Sequence, residues 1–350
     1  MRGRSAQRAL RPPSKDKRLV DMATIDNTAG KGGKAATIAQ WWQTLKDVRK
    51  EGWGDPMGYL FLAPGLIMFA VFQIWPLIRG FVMAFTDFAF LRQLTDPTHF
   101  VGLANFVEFF TDDRTFWPSF GRSLQFTAFY LPVMFGLGLF MASAIARVGG
   151  NRVASFFRTS MYLPVILPIA VSVLLWKALL NNQFGYINYI LRDVLNLNSL
   201  ALNWLNDARM TVYMVALMRI WRDAGSTAML LLIGMYNINE ELYESASIDG
   251  ANSIQKWWSI TLPLLKPTLV LVLVLNANIV SAARGFMITY GVSNLGPEGS
   301  ALTLGYYIWL VSIWRQPMRF GYGAAMSLFL GIISGIMSWV VFKVFRTERA

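Results

Sequence analysis

Residues 60–72 read LFLAPGLIMFAVF, and residues 326–342 read MSLFLGIISGIMSWVVF. Neither stretch contains a charged side chain, and each is apolar on nearly every face of a helix. A core helix of a soluble protein normally keeps a polar stripe, so this pattern favours helices that are surrounded by lipid. The sequence therefore predicts an all-α, polytopic membrane protein.

Six stretches are long and apolar enough to cross a bilayer, which takes about 20 residues of helix. The fourth is less apolar than the others because Arg219, Arg222 and Asp223 lie inside it. The fifth is short but can extend past Arg284 toward Tyr290. We place the spans at about Tyr59–Phe85, Phe126–Ala146, Met161–Leu180, Thr211–Tyr236, Thr268–Ala283 and Tyr322–Phe345.

The distribution of Lys and Arg predicts the orientation in the membrane. The first fifty residues are rich in both, and the loop between spans two and three carries Arg147, Arg152 and Arg158 without an acid. Lys343, Arg346 and Arg349 follow the last span. Cytoplasmic loops are enriched in Lys and Arg, so both termini are expected in the cytoplasm. Longer, acid-containing connections, near residues 86–125, 181–210 and 291–321, are then external.

The chain divides into a tail, residues 1–57, and a transmembrane domain, residues 58–350. The tail lacks the apolar stretch of a signal peptide, and its first part has the polar, basic composition of disordered segments. Near residues 38–50, apolar residues recur at helical spacing among basic ones. This pattern indicates an amphipathic helix lying on the inner leaflet or, equally, one packed on a partner protein.

Composition excludes several function classes. The chain has no Cys and a single His, His99, which removes disulfides, thiol nucleophiles, zinc–cysteine sites and multi-histidine metal sites. The net charge of +12 could indicate nucleic-acid binding, but the charge lies in the tail and in short loops between apolar spans. That arrangement is typical of membrane topology, so we expect no nucleic-acid partner.

The segment between spans four and five, residues 240–267, has features of a compact docking element. The stretch that starts with Glu240 and Glu241 favours a helix, and Gly250 permits a sharp turn after this helix. A second short helix would carry the exposed aromatics Trp257 and Trp258, and Pro263 with Pro267 would redirect the chain before it re-enters the membrane. We predict a helix–turn–helix on the cytoplasmic face that fits a cleft in another protein.

This segment resembles the "EAA" loop of importer permeases of the ATP-binding-cassette class. Ser245 replaces the usual second Ala, a change between two small residues. The resemblance, together with the aromatic Trp257, gives the expected ATPase-coupling set: Glu244, Ala246, Asp249, Gly250, Ala251, Trp257, Ile260, Leu262 and Pro263.

Further likeness to the sugar-permease branch, of the maltose and glycerol-3-phosphate type, extends over most of the chain from about Gly58. The residues that show this likeness are Pro64 and Pro76 in the first span, the turn 184–188 (FGYIN), Leu242-Tyr243 before the EAA motif, and residues 320–325 (FGYGAA). The large external insertion of maltose permeases is absent.

The resemblance implies a permease subunit of an importer in the prokaryotic cytoplasmic (inner) membrane. It implies a second permease chain, two separate ATPase subunits that bind ATP and Mg, and an external sugar-binding protein. No cofactor is expected on this chain, because residues 30–35 (GKGGKA) lack the spacing of a phosphate-binding loop.

Polar groups at membrane depth are costly and usually face a cavity or a partner. We take as candidate substrate-pathway residues Arg219, Trp221, Arg222, Asp223, Ser226, Asn276 and Asn278. An equally weighted alternative is that Arg222 and Asp223 pair with the partner permease and never touch the substrate.

Three other functions stay open at this point. The chain could be a permease for an amino acid, phosphate or peptide, although the sugar-branch features argue against this. It could be a polytopic membrane enzyme, but the acid-rich cluster expected at one membrane face matches the EAA-like segment instead. It could also be a scaffold or receptor without transport, which copurification of an ATPase would contradict.

Overall fold

The computed structural model describes residues 56–91, 97–148, 151–276 and 295–345. Within these ranges the chain forms helices, turns and loops, with no β-strand and one isolated antiparallel bridge between Thr86 and Phe100. The predicted all-α class is confirmed. The predicted amphipathic helix near residues 38–50 lies outside the described residues.

The chain divides into two units, residues 1–76 and 77–350. In the first unit, α1 (Pro56–Phe69) continues into a π-helical turn, Ala70–Ile74. The next helix, α2 (Trp75–Met83), crosses the boundary between the units. Together, Phe61–Met83 form a helix long and apolar enough to cross a membrane, which agrees with the predicted first span.

In the second unit, α3 (Ala104–Thr111) lies in the connection before α4 (Phe116–Arg147), the second span. The helix α4 begins earlier than the predicted Phe126, because Pro118 falls in its first turn, where proline is tolerated. It is one continuous helix of 32 residues.

The third span is broken, and the prediction of one helix over Met161–Leu180 is wrong on this point. The chain bends by 101° between the helices α5 (Asn151–Ile166) and α6 (Ile169–Leu179). Pro168 occupies the N-cap of α6 with an extended backbone, and a proline disfavours the helical conformation of the residue before it. The chain therefore turns sharply at Leu167 and Pro168.

After the short helix α7 (Tyr186–Tyr189), α8 (Thr211–Tyr236) has the bounds predicted for span four. It packs chiefly against α4 and also contacts α5 and α6. At Gly225 a Cβ atom would overlap the backbone carbonyl of Met161, so the two helix backbones touch there. Only glycine permits this approach.

The EAA-like segment forms α9 (Glu240–Ile248) and α10 (Ser253–Lys256), and a π-helical turn, Trp257–Thr261, leads into α11 (Leu262–Asn276). Ser253–Asn276 is one apolar helix long enough to span a membrane, so the predicted start at Thr268 and the redirection at Pro263 and Pro267 are wrong. Pro263 falls in the first turn of α11, directly after the wider π turn, where proline needs least adjustment. Residues 277–294 lie outside the described part.

The last elements are α12 (Leu304–Trp309), extended by a π turn Leu310–Trp314, and α13 (Phe320–Phe345). Among the described residues, four helices could cross a membrane, or five if the bent pair is one span. The remaining predicted span is span four, which is α8, and its internal charges make it the least apolar. The count of six and the side of the termini stay predictions.

At the predicted external end, polar contacts fasten α3 to the start of α13. Arg319 donates to both oxygens of Glu108, at 2.6 and 2.5 Å, and these hydrogen bonds raise the pKa of the guanidinium. Tyr307 and Tyr322 donate their hydroxyls to one oxygen of Asp113, at 2.7 and 2.6 Å. Burial, reinforced by Asp113, raises the pKa of Tyr307. These contacts join three separate stretches of sequence.

Replacing Asp113 with Asn should lower the thermal stability of the purified protein. Both tyrosine hydroxyls would keep only a neutral acceptor, and hydrogen bonds to charged groups contribute about 1.5–3 kcal/mol against about 1 for neutral ones. The exposed neighbour Asp112 supplies the control, Asp112→Asn, which should leave the melting temperature in detergent unchanged. Equal melting temperatures for the two variants would contradict this account of the external contacts.

Candidate functional site

The first helix of the EAA-like segment, α9, is capped at its N-terminus. The side chain of Asn239 accepts a hydrogen bond from the Glu241 backbone N–H at 3.1 Å, and Glu240 and Glu241 occupy the first turn. The cap satisfies one free N–H, and the acids complement the positive end of the helix dipole. The sequence thus begins a helix only three residues after α8 ends.

The turn after α9 requires glycine. Gly250 has φ of +79°, in the left-handed region, directly after the C-cap Asp249. The N–H of Gly250 donates to the Ser247 carbonyl at 3.1 Å, and that of Ala251 to the Ala246 carbonyl at 2.9 Å. This pair of bonds is the Schellman motif, which ends a helix and reverses the chain.

The second helix is fixed by its own cap and by ties to α9. Asn252 and Gln255 form a capping box, with side chain and backbone bonded in both directions. Tyr243 of α9 shares a hydrogen bond of 2.8 Å with Thr261. Lys256 donates to the Ser247 hydroxyl. The segment is therefore a preformed element whose two helices hold each other.

The predicted coupling residues divide into an exposed and a half-buried group. Glu244, Asp249, Gly250 and Pro263 are exposed, whereas the others are half-buried: Ala246, Ala251, Trp257, Ile260 and Leu262. Trp257 differs from the expectation of an exposed tip, because its indole N–H donates to Ser143 of α4 at 3.1 Å. The sequence analysis also missed two exposed apolar side chains in addition to Trp258. These are Ile248 and Ile254, whose exposed fractions are 88% and 68%.

A second polar site lies at membrane depth, around the carboxylate of Asp223 in α8. One oxygen accepts from Arg219 Nε at 3.0 Å and from the Tyr130 hydroxyl at 3.2 Å, and the other accepts from Arg222 Nη1 at 3.1 Å. The Arg219 guanidinium lies 5.0 Å from the Tyr130 ring centroid, a cation–π distance. The structure thus brings together three of the predicted substrate-pathway residues.

Arg222 also fills the gap left by the break in span three. Its Nε donates to the Leu167 carbonyl at 3.3 Å and its Nη2 to the Val165 carbonyl at 3.5 Å. A broken helix leaves carbonyls without their usual N–H partners, and in a membrane these must be satisfied by protein. Arg222 therefore caps α5 from a neighbouring helix.

The other described candidates bind groups other than the Asp223 carboxylate. Ser226 donates to the backbone carbonyl of Asp223 at 2.7 Å, and Trp221 packs edge-on against Trp176 at 6.0 Å between ring centroids. The Asn276 amide donates to the Val272 carbonyl of its own helix at 2.8 Å. Asn278 lies outside the described residues.

Sequence reasoning missed Tyr130 and the carbonyls of Val165 and Leu167. Tyr130 is one aromatic among many in span two, and its pairing with a residue 93 positions away leaves no local pattern. The break did have a signal, since Pro164 and Pro168 interrupt one apolar stretch. Proline-interrupted spans point to binding or hinge regions in transporters.

Removing the Tyr130 hydroxyl should destabilise the helix bundle. Tyr130→Phe leaves the ring under Arg219 but deprives Asp223 of one donor, at an expected cost of about 2 kcal/mol for a hydrogen bond to a charged group. Tyr213→Phe, a change of the same chemistry in α8, is the control. We expect the melting temperatures of the two variants in detergent to differ by several degrees. Identical melting temperatures would contradict the stabilising role of the Tyr130 hydroxyl in the cluster.

Comparison with known proteins places these features in a family. The family model described as "Binding-protein-dependent transport system inner membrane component" matches residues 134–346. The arabinooligosaccharides transport system permease protein of Bacillus subtilis is 30% identical over 309 residues, which cover 85% of this chain and 92% of the relative. The trehalose/maltose transport system permease protein of Thermococcus litoralis is 30% identical and covers 84% and 95%.

Solved structures have the same fold. A bacterial ABC transporter involved in the import of the acidic polysaccharide alginate aligns with a TM-score of 0.71 and 23% identity, over 88% of this chain and 100% of that chain. The same type of transporter, in complex with an alginate pentasaccharide-bound periplasmic protein, gives 0.70 and 24%, over 86% and 96%. This chain therefore belongs to the family of inner membrane components of binding-protein-dependent transport systems, and it is a multi-pass permease of the prokaryotic cytoplasmic membrane.

Proposed function

We propose that this chain is the transmembrane permease subunit of an ATP-binding-cassette importer that moves a sugar into the cytoplasm. Relatives named as permeases for arabinooligosaccharides, sulfoquinovosyl glycerol and trehalose/maltose, each covering more than four fifths of this chain, support a carbohydrate cargo. An external binding protein delivers the sugar, and a second permease chain completes the pathway. The chain itself is not an enzyme and holds no cofactor; ATP and Mg bind on two separate ATPase subunits.

The observation that carries the proposal is the construction of the EAA-like segment. Its two capped helices expose Glu244, Asp249 and the apolar Ile248, while α9 follows α8 after three residues and α10 continues without a break into α11. A carboxylate beside an apolar tip suits a cleft with a basic group. A displacement of this segment by the ATPase would pass directly into two membrane helices and drive alternating access.

The first test is whether the predicted partners copurify. We expect a tagged chain in mild detergent to bring down an ATP-binding-cassette ATPase and a second permease, identified by mass spectrometry. Glu244→Gln should release the ATPase and leave the second permease bound, because only the cytoplasmic contact loses its charge. Recovery of the chain with unrelated enzymes alone would favour the membrane-enzyme alternative.

Substitutions at Gly250 can test whether the shape of this turn, rather than the space around it, is needed for coupling. A Cβ atom at Gly250 would meet nothing within 4 Å, so only the left-handed φ excludes other residues. Gly250→Val should uncouple ATP hydrolysis from uptake while the chain still inserts, since a β-branched residue is a severe outlier there. Gly250→Asn, which tolerates this conformation, is the control and should retain most of the uptake.

Uptake of radiolabelled sugar and ATP hydrolysis are measured together on reconstituted vesicles. Equal uptake by Gly250→Val and Gly250→Asn would contradict the proposed role of the turn.

A further inference from the structure

A groove runs along the predicted cytoplasmic half of α4, between this helix and the second helix of the EAA-like segment. Its volume is about 600 Å³. Its walls are largely apolar, and the described residues that line it include one charged side chain, Arg147, and no acid. The lining residues are Gly136, Leu139, Phe140, Ser143, Ala144, Arg147, Ile254, Trp257 and Trp258.

The depth of the groove matches one leaflet of a bilayer. At about 1.5 Å per residue, the helix from Gly136 to Arg147 extends about 16 Å. The hydrocarbon core is about 30 Å thick, so the groove reaches from the headgroup level to about the midplane. An object that fills it must be apolar and must lie along the membrane normal.

The mouth of the groove carries the charge that a phospholipid headgroup requires. Arg147 is the last residue of α4 and is exposed to solvent. The cytoplasmic leaflet is rich in anionic lipids, and guanidinium groups form paired hydrogen bonds with phosphate oxygens. Trp257 and Trp258 stand beside it, and tryptophan is enriched at this interfacial level.

The wall opposite α4 is held in place by specific contacts. The Trp257 indole donates to Ser143 across the floor of the groove at 3.1 Å. The rings of Trp257 and Trp258 stack edge to face, with 4.9 Å between their centroids and 86° between their planes. The groove is therefore a preformed cleft between two anchored surfaces.

We propose that this groove binds one anionic phospholipid of the cytoplasmic leaflet, with an acyl chain along α4 and its phosphate at Arg147. The lipid then lies against Trp257 and Trp258 and braces the EAA-like segment on its membrane side. This binding site is additional to the transport function and requires only the predicted membrane orientation.

Two other occupants fit the groove less well. The chain's own stretch near residues 38–50, as an in-plane amphipathic helix, would enter the bilayer by only about 5–10 Å. A water-soluble ATPase subunit would reach the rim but not the apolar depth at Gly136. Deletion of residues 1–50 would reveal the first of these occupants.

The test counts lipids on the full-length chain with its copurifying subunits, by native mass spectrometry in mild detergent. The probes are palmitoyl-oleoyl phosphatidylglycerol and the zwitterionic phosphatidylcholine with the same chains. Arg147→Gln should weaken phosphatidylglycerol retention about fivefold, the contribution of one basic residue near a charged surface. Arg152→Gln, which removes an exposed charge from the first turn of α5, five residues after Arg147, is the matched control and should change little.

A second pair of variants tests the apolar part of the groove. A Cβ at Gly136 or at Gly121 would meet nothing within 4 Å, so a side chain can be introduced at either position without a clash at its first carbon. Gly136→Leu fills the groove and should abolish retention of one lipid, whereas Gly121→Leu, near the other end of α4, should not.

The proposal is overturned if wild-type protein retains the two lipids equally, or if Arg152→Gln and Arg147→Gln lower retention alike. It is also overturned if deleting residues 1–50 increases lipid binding in the groove, because the tail would then be the natural occupant. Lipid retention is read without any transport assay, so failure of the proposed sugar import would leave this result interpretable.

Discussion

The carboxylate of Asp223 is the constraint on which the arrangement of the membrane helices depends. A charge at membrane depth is tolerated only when protein groups replace water around it. Here the replacements come from three residues: Tyr130 on α4, Arg219 one turn earlier on α8, and Arg222, which also binds two carbonyls at the end of α5. The charge therefore fixes α8 relative to α4 and to the break in span three.

This fixation gives α8 a mechanical role. The helix touches α5 backbone to backbone at Gly225, and its polar cluster joins it to α4 through Tyr130 and to the end of α5 through Arg222, so α8 is packed tightly against both neighbours. The EAA-like segment begins three residues after α8 ends, and the Asn239 cap restricts the conformation of this short connection. Force applied to that segment thus reaches the polar cluster through this short connection and the continuous helix α8. In the proposed importer, this is the route from ATP hydrolysis to the pathway.

The elements that were predictable from sequence are those that depend on local pattern. The bounds of α8, the apolar last span, the acids in the first turn of α9 and the turn at Gly250 all follow from residue type and spacing. The errors occurred where proline acts in context. Pro168 breaks span three, whereas Pro164 stays inside α5 and Pro263 and Pro267 stay within a continuous helix after a π turn. At the break, Arg222 from a neighbouring helix binds the carbonyls of Val165 and Leu167, and such a contact is tertiary information that the local sequence does not carry. The pairing of Tyr130 with Asp223 was beyond the sequence for the same reason.

The polar cluster also limits what could complete it. Asp223 already accepts three hydrogen bonds, so its remaining capacity as an acceptor is small. The donors are in excess, with two guanidinium groups for one carboxylate, and Arg219 Nη1 is buried without a partner among the described residues. A group that joins the cluster from outside must therefore supply acceptor oxygens, as a sugar hydroxyl, an acidic sugar or a carboxylate of the second permease does. The two alternatives raised by the sequence, cargo contact and pairing between permeases, thus make the same chemical demand on this site. Only the identity of the molecule that brings the oxygen separates them, because the donors are already in place for either.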